Sequence, residues 1–164
     1  MASTRPDFLL ILQTLAKHDV DFIIVGGVCA VLHGAPISTF DLDLVHSRDP
    51  GNVDRLTAAL EELEAVYRAQ GSRILRPQKS DLMTDGHHLL MTRAGPLDIL
   101  GAIGRNRGYG ELLVHCVALK LGEGLEVRLL KLETLIETKR EAGRDKDTAV
   151  LAILQRTLEE SLKR

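Results

Sequence analysis

The chain has 164 residues, a formal net charge of -2, 45% hydrophobic and 27% charged residues, a balance typical of folded globular proteins and unlike that of disordered ones. This length suits a single folded unit over residues 1–164, and the near-neutral charge excludes a globally basic nucleic-acid binder, leaving only a local patch for any such contact. Aromatic residues make up 3% with no Trp, so a platform for stacking bases is poorly supplied.

Thr4 is placed to cap a first helix in which Phe8, Ile11, Leu12 and Leu15 share one face. DFIIV (Asp21–Val25) reads as a buried strand ending at Gly26-Gly27. VCAVLHG is apolar all round, which predicts a short buried helix stopped at Gly34, with His33 ending it rather than serving as a ligand. An acidic strand, DLDLV, follows the Ala35-Pro36 turn. Asp49-Pro50 opens an amphipathic helix with Val53, Leu56, Leu60, Leu63 and Tyr67 along one side and Glu61, Glu62 and Glu64 outside. Weaker strands are expected around Ile74 and over HLLMT (His88–Thr92) and PLDIL (Pro96–Leu100), the last two joined by a hairpin turn at Ala94-Gly95. RPQKSDLMTDGH and GRNRGYG (Gly104–Gly110) read as polar loops. ELLVHCVALKL and LEVRLL suggest a hairpin around Gly122–Gly124, and two helices, Leu132–Ala142 and Asp145–Lys163, close the chain. This order predicts an α/β (α+β) fold with a mixed β-sheet and flanking helices: a core over about residues 19–118 and a C-terminal helical pair over about 131–164.

Cys29 and Cys116 sit in apolar surroundings and read as buried thiols. No signal peptide marks MASTRPDF and no run is long and apolar enough to span a bilayer, so a reducing cytoplasm and no membrane partner are expected. The histidines show no HxxxH or HxH spacing, and His87 and His88 would face opposite sides of a strand, which argues against a zinc site.

The acids in DLDLV need compensation, because burying a carboxylate without a partner costs several kcal/mol. Residues two apart on a strand face the same side, roughly 6.5 Å apart. Asp41 and Asp43 therefore project together while Leu42 and Leu44 pack into the core. Two such carboxylates repel and raise one another's pKa unless a cation lies between them. Mg²⁺ (or Mn²⁺) suits the pair, since it takes one or two carboxylates and fills its shell with water and phosphate oxygens. Asp98 in PLDIL repeats the pattern. If its strand neighbours the first, three acids converge and can hold metals about 3.5–4 Å apart for phosphoryl chemistry. The bland alternative is that Asp41 or Asp98 caps a turn or pairs with an arginine. Gly26-Gly27, after a strand and before a buried helix, leave backbone N–H groups open to an anion, although a GG turn is more often only a tight connection. Neither GxGxxG nor GxxxxGK[ST] is present, so dinucleotide and Walker-type sites lose their main support.

The run from GG through a short helix to HG-x-P-x-x-T-x-D-L-D-L resembles the core motif of the polymerase-β-type nucleotidyltransferase superfamily. GPLDILGAI and the later stretch ending KREAGRDKD resemble its small bacterial branch, which includes AbiEii-type toxins. The resemblance covers about residues 22–154. It implies a nucleotidyltransferase fold and a metal-dependent transfer of a nucleoside monophosphate from a nucleoside triphosphate to an acceptor hydroxyl on RNA such as tRNA, on a protein or on a small molecule, with an antitoxin protein as partner if the chain is a toxin. It further implies that Gly26 and Gly27 hold the triphosphate beside Ser38 and Thr39, and that Asp41 and Asp43 bind metal. Asp98 would be the third carboxylate, polarising or deprotonating the acceptor hydroxyl, and Lys139 would reach the phosphates from the C-terminal helix. Asp147 lies where toxin-like members carry another functional acid.

At Ile37 and Phe40 the chain departs from the pattern, since members often carry Arg or Lys near this point; a phosphate contact is missing there. Lys139 continues the stripe of Leu132, Leu135 and Ile136, so it either snorkels out or points into a polar pocket. AGRDKD is either a loop in which Asp145 caps the last helix, or, with Arg140, Arg144 and Lys146, an RNA-backbone patch. GRNRGYG is solvated surface or a clamp on the acceptor. Two other readings stand beside the enzyme: a degenerate member that binds nucleotide or a partner without transfer, and a structural α/β module whose acids form salt bridges.

Overall fold

In a computed structural model of the chain, which describes residues 5–122 and 124–164, the first helix, α1 (Phe8–Lys17), buries Ile11, Leu12 and Leu15 on one side. Asp7 caps it by accepting the Leu10 N–H at 3.0 Å; Thr4 lies outside the described residues. β1 (Phe22–Val25) is buried throughout and runs directly into α2 (Gly26–Leu32). His33 caps α2, and its Nε2 lies 2.8 Å from the Leu130 carbonyl. β2 (Leu42–His46) then returns antiparallel to β1, and α3 (Pro50–Glu62) buries Val53, Leu56 and Leu60.

Here the chain leaves the predicted helix. Leu63 caps α3 and Glu64 takes a positive φ of 55°, so Tyr67 belongs to a short strand, β3 (Val66–Tyr67), although its i+4 spacing from Leu63 suits a helix. Its hydroxyl lies 2.9 Å from His88 Nδ1. No strand forms at Ile74, which is 75% exposed and has no core to pack against. The following polar stretch contains a helical turn, α4 (Lys79–Leu82), capped where the Gln78 N–H donates to Asp81 Oδ2 and anchored by the fully buried Leu82.

β4 (His87–Thr92) alternates exposed and buried residues, and β5 (Gly95–Leu100) pairs with it as a hairpin. The stretch read as a polar loop, Gly104–Gly110, instead supplies the turn and second strand of a small hairpin of β6 (Ala102–Ile103) and β7 (Arg107–Gly108). Glu141 holds it by an ion pair with Arg107 and by accepting the Arg105 N–H. Tyr109–His115 is helical rather than extended: α5 (Tyr109–Leu112) and one 3₁₀ turn, pinned by buried Leu112. The last hairpin is therefore β8 (Cys116–Lys120) with β9 (Glu126–Leu130), its turn containing residue 123 outside the described part. α6 (Leu132–Ala142) has the predicted bounds, whereas α7 (Thr148–Leu162) starts after a 3₁₀ turn at Asp145–Asp147, and Asp145 does not cap it.

The main sheet is mixed, in the order β3-β4-β5-β2-β1-β9-β8, with β2 parallel to β5 and β1 parallel to β9. Leu42, Leu44, Leu90, Leu97 and Ile99 are fully buried and join Ile11, Leu15, Leu56 and Leu60 in one core. Fully burying a side chain of this size contributes about 1.5–3 kcal/mol. Cys29 is in that core, whereas Cys116 is only half-buried. Among the described residues no helix is long and apolar enough to cross a membrane.

Candidate active site

The pairing of β2 with β5 makes the site. Their parallel register sets Asp43 beside Asp98 and Leu44 beside Ile99. Strand alternation then sends the leucines and isoleucine into the core and both acids to the other face. Asp41, just before β2, joins them: one carboxylate oxygen from each of Asp41, Asp43 and Asp98 lies within 4.8 Å of the other two. The acids predicted to converge do so.

The cluster is electrostatically unfavourable without a cation. Asp43 Oδ1 is buried and makes no hydrogen bond among the described residues. Burial first, then the charges of Asp41 and Asp98, push the Asp43 carboxyl up to about 8, with Lys139 pulling the other way. Burial also raises Asp98, opposed by Arg68. Three hard oxygen donors, one of them orphaned, match what Mg²⁺ or Mn²⁺ needs from a protein.

The glycines meet the acids directly. Gly26 has a φ of +69°, unfavourable for a side chain, and a β-carbon there would lie 2.1 Å from Asp43 Oδ2. A β-carbon on Gly27 would lie 2.6 Å from Thr39 Oγ1, and that hydroxyl donates to the Asp41 carbonyl at 3.1 Å. The pair therefore has a packing role whatever else it does: it lets the acidic strand and the Thr39 turn approach the β1–α2 corner.

The carboxylates lie in a cleft of about 800 Å³. The sheet contributes Asp43, Asp98, His87 and Leu89, the turn before β2 contributes Asp41, and α6 contributes Leu135, Thr138 and Lys139. The β6–β7 hairpin forms a further wall through Ile103 and Asn106. Lys139 points into this polar cleft rather than snorkelling to bulk water, its ammonium 3.7 Å from Asp147 Oδ1. Arg144 approaches the other Asp147 oxygen, also at 3.7 Å, so both accessory residues line the cleft. The Lys146 side chain lies outside the described part of the structure. Ser38 is exposed and, like Gly27 and Thr39, does not line the cleft, whereas Gly26 does.

Arg68 is the site residue that sequence patterns miss. Its Nη2 lies 2.7 Å from Asp98 Oδ1, off the angle of a directed hydrogen bond, and its Nη1 donates to the Leu90 carbonyl at 2.6 Å. Nothing in VYRAQ marks it, because the stretch reads as the end of a helix. The bland expectation that an arginine pairs with Asp98 is thus met, but inside the acidic cluster rather than instead of it.

This architecture matches the crystal structure of a Thermotoga maritima protein described as a "putative nucleotidyltransferase", with a TM-score of 0.57 and 16% sequence identity over 93% of this chain and 91% of that one. At that identity the likeness establishes a shared fold. No family model and no curated protein matches the chain.

Proposed function

We propose that the chain is a metal-dependent nucleotidyltransferase that moves a nucleoside monophosphate from a nucleoside triphosphate to an acceptor hydroxyl. One observation carries the reading: three carboxylates meet in an open cleft with a buried, unpartnered oxygen on Asp43. The fold it shares with the Thermotoga maritima protein supports it. A divalent ion held by Asp41, Asp43 and Asp98 would offset phosphate charge and stabilise the departing pyrophosphate.

The chain's own residues have separate tasks in this reading. Gly26 and Gly27 admit the Asp43 carboxylate and the Thr39 side chain to the β1–α2 corner, and a triphosphate would approach the backbone at Gly26, which lines the cleft, with Ser38 and Thr39 nearby in the chain. Lys139 offers an ammonium from the α6 wall, and Arg144, Lys146 and Asp147 lie close behind it in the chain. The acceptor oxygen forms its bond to the α-phosphorus as the bond to pyrophosphate breaks, and Asp98 takes the hydroxyl proton. A tRNA end, a protein side chain or a small molecule would serve as acceptor. A toxin role in the cytoplasm with an antitoxin partner rests on the AbiEii-like sequence pattern alone.

The test is incubation with each labelled triphosphate, Mg²⁺ and a cell extract. Label transfer is expected with the native chain and not with Asp43→Asn, whose fold should survive; equal labelling by the variant rejects the assignment. A second reading, a member of the same fold that binds nucleotide or a partner without transfer, is favoured by the Arg68–Asp98 pair, which already engages the third carboxylate. It predicts triphosphate binding without label transfer.

A further inference from the structure

The cation at Asp98 is held from one side only. The Arg68 backbone N–H donates to Leu89 at 2.9 Å and Nη1 to Leu90 at 2.6 Å, so β4 anchors the residue at two points. The other terminal nitrogen, Nη2, faces the cleft and contacts Asp98 Oδ1 at 2.7 Å. A guanidinium and a divalent ion at one carboxylate oxygen are like charges a few ångströms apart, so they repel and compete for the same negative charge. An ion bound at Asp98 therefore weakens the contact and favours release of the guanidinium. The freed Nη2 then faces the cleft, where a charged N–H donor suits a phosphate oxygen. Ile37 and Phe40 leave the Thr39 turn without a cation of its own.

We propose that Arg68 is an exchangeable counter-ion: it neutralises Asp98 in the ion-free protein and turns to the phosphates of a nucleoside triphosphate when a divalent ion takes that carboxylate. The proposal rests on the metal-site reading of the preceding subsection. Its consequence is a coupling between two ligands. The ion releases the guanidinium that the triphosphate needs, and the triphosphate holds the guanidinium away from the oxygen that the ion needs, so each tightens the other by the same factor.

Calorimetric titration of Mn²⁺, and of a non-hydrolysable triphosphate with Mn²⁺ present, tests this without any assay of turnover. Arg68→Gln should bind Mn²⁺ alone about tenfold more tightly than the native chain, and the triphosphate about tenfold more weakly. In an Asp98→Asn background the same replacement should leave Mn²⁺ affinity unchanged, because the contested negative charge is gone. Should Arg68→Gln fail to fold, Arg68→Lys carries the test: a point charge without the Leu90 anchor should release Mn²⁺ affinity by about threefold. Native-like Mn²⁺ affinity in the folded variants overturns the counter-ion role and leaves the metal site intact. No Mn²⁺ binding by the native chain, matched by Asp43→Asn, removes both.

Discussion

Gly26 and Asp43 occupy one another's space: the carboxylate fills the volume that a β-carbon on residue 26 would take, 2.1 Å from Oδ2. The β1–α2 corner and the acidic strand are therefore a single unit, and the glycine sets how deeply the acid sits. Gly26→Ala must displace Asp43 and also accept a φ of +69°, a conformation that costs a non-glycine residue about 1–2 kcal/mol. We expect a lower melting temperature, by roughly 2–4 °C per kcal/mol, together with weaker Mn²⁺ binding. Native Mn²⁺ affinity in Gly26→Ala would show that the corner does not set the acid's position.

The carboxylate cluster makes stability depend on pH in an unusual direction. Asp43 rises from its ordinary 3.8 to about 8, burial being the first cause, so the folded chain holds a proton there that the unfolded chain has lost. The stabilisation is complete below about pH 4 and disappears as the pH climbs towards 8. His46 and His88 act with the opposite sign, since burial lowers both; their contribution is lost only as the pH falls below the ordinary imidazole value of about 6.5. Between pH 6.5 and 8 the carboxylates decide. In chelator the melting temperature should fall across that window, and Asp43→Asn or saturating Mn²⁺ should flatten the profile. A flat profile for the native chain in chelator would contradict the account.

Lys139 and Asp147 give a prediction that separates substrate binding from ion binding. The ammonium faces the cleft and is held only loosely, 3.7 Å from Asp147. Lys139→Ala should weaken binding of a triphosphate analogue by roughly ten- to a hundredfold, as expected for losing about 1.5–3 kcal/mol of a hydrogen bond to a charged group, while Mn²⁺ affinity in its absence stays native or rises. Calorimetry reads both. Unchanged triphosphate affinity would reduce Lys139 to a partner of Asp147.

Away from the cleft, Asn52 closes the junction of β1, β2 and α3. It is fully buried, accepts the Asp21 N–H at 2.7 Å, and donates to the carbonyls of Asp21 at 3.1 Å and Ser47 at 2.8 Å. Asn52→Ala leaves the Asp21 N–H and the Ser47 carbonyl without their side-chain partner, at a cost of about 2–3 kcal/mol, and thermal denaturation should show it. Triphosphate affinity of the folded fraction should not change, because Asn52 does not line the cleft.

The acidic strand and PLDIL are legible in the sequence because strand period is local: an acid between two apolar residues must face away from them, and Leu42, Leu44, Leu97 and Ile99 are indeed fully buried. The bounds of α6 are legible for the same reason, its stripe of Leu132, Leu135 and Ile136 being complete within one segment. Tyr67 and Ile74 were not. A positive φ at Glu64 redirects a pattern whose spacing still suits a helix, and an isolated Ile finds no neighbouring strand to join.

By itself, then, the sequence determined which acids lie on a common strand face, where glycines open the backbone, and that a mixed fold surrounds them; each follows from residue order and backbone period. Tertiary structure alone decided that β5 lies beside β2 in the register that joins Asp98 to Asp43, and that Arg68 reaches into the cluster from β4's far side. Those contacts link segments 30 or more positions apart, and no local period encodes which strands become neighbours. Sheet pairing is chosen by the whole core.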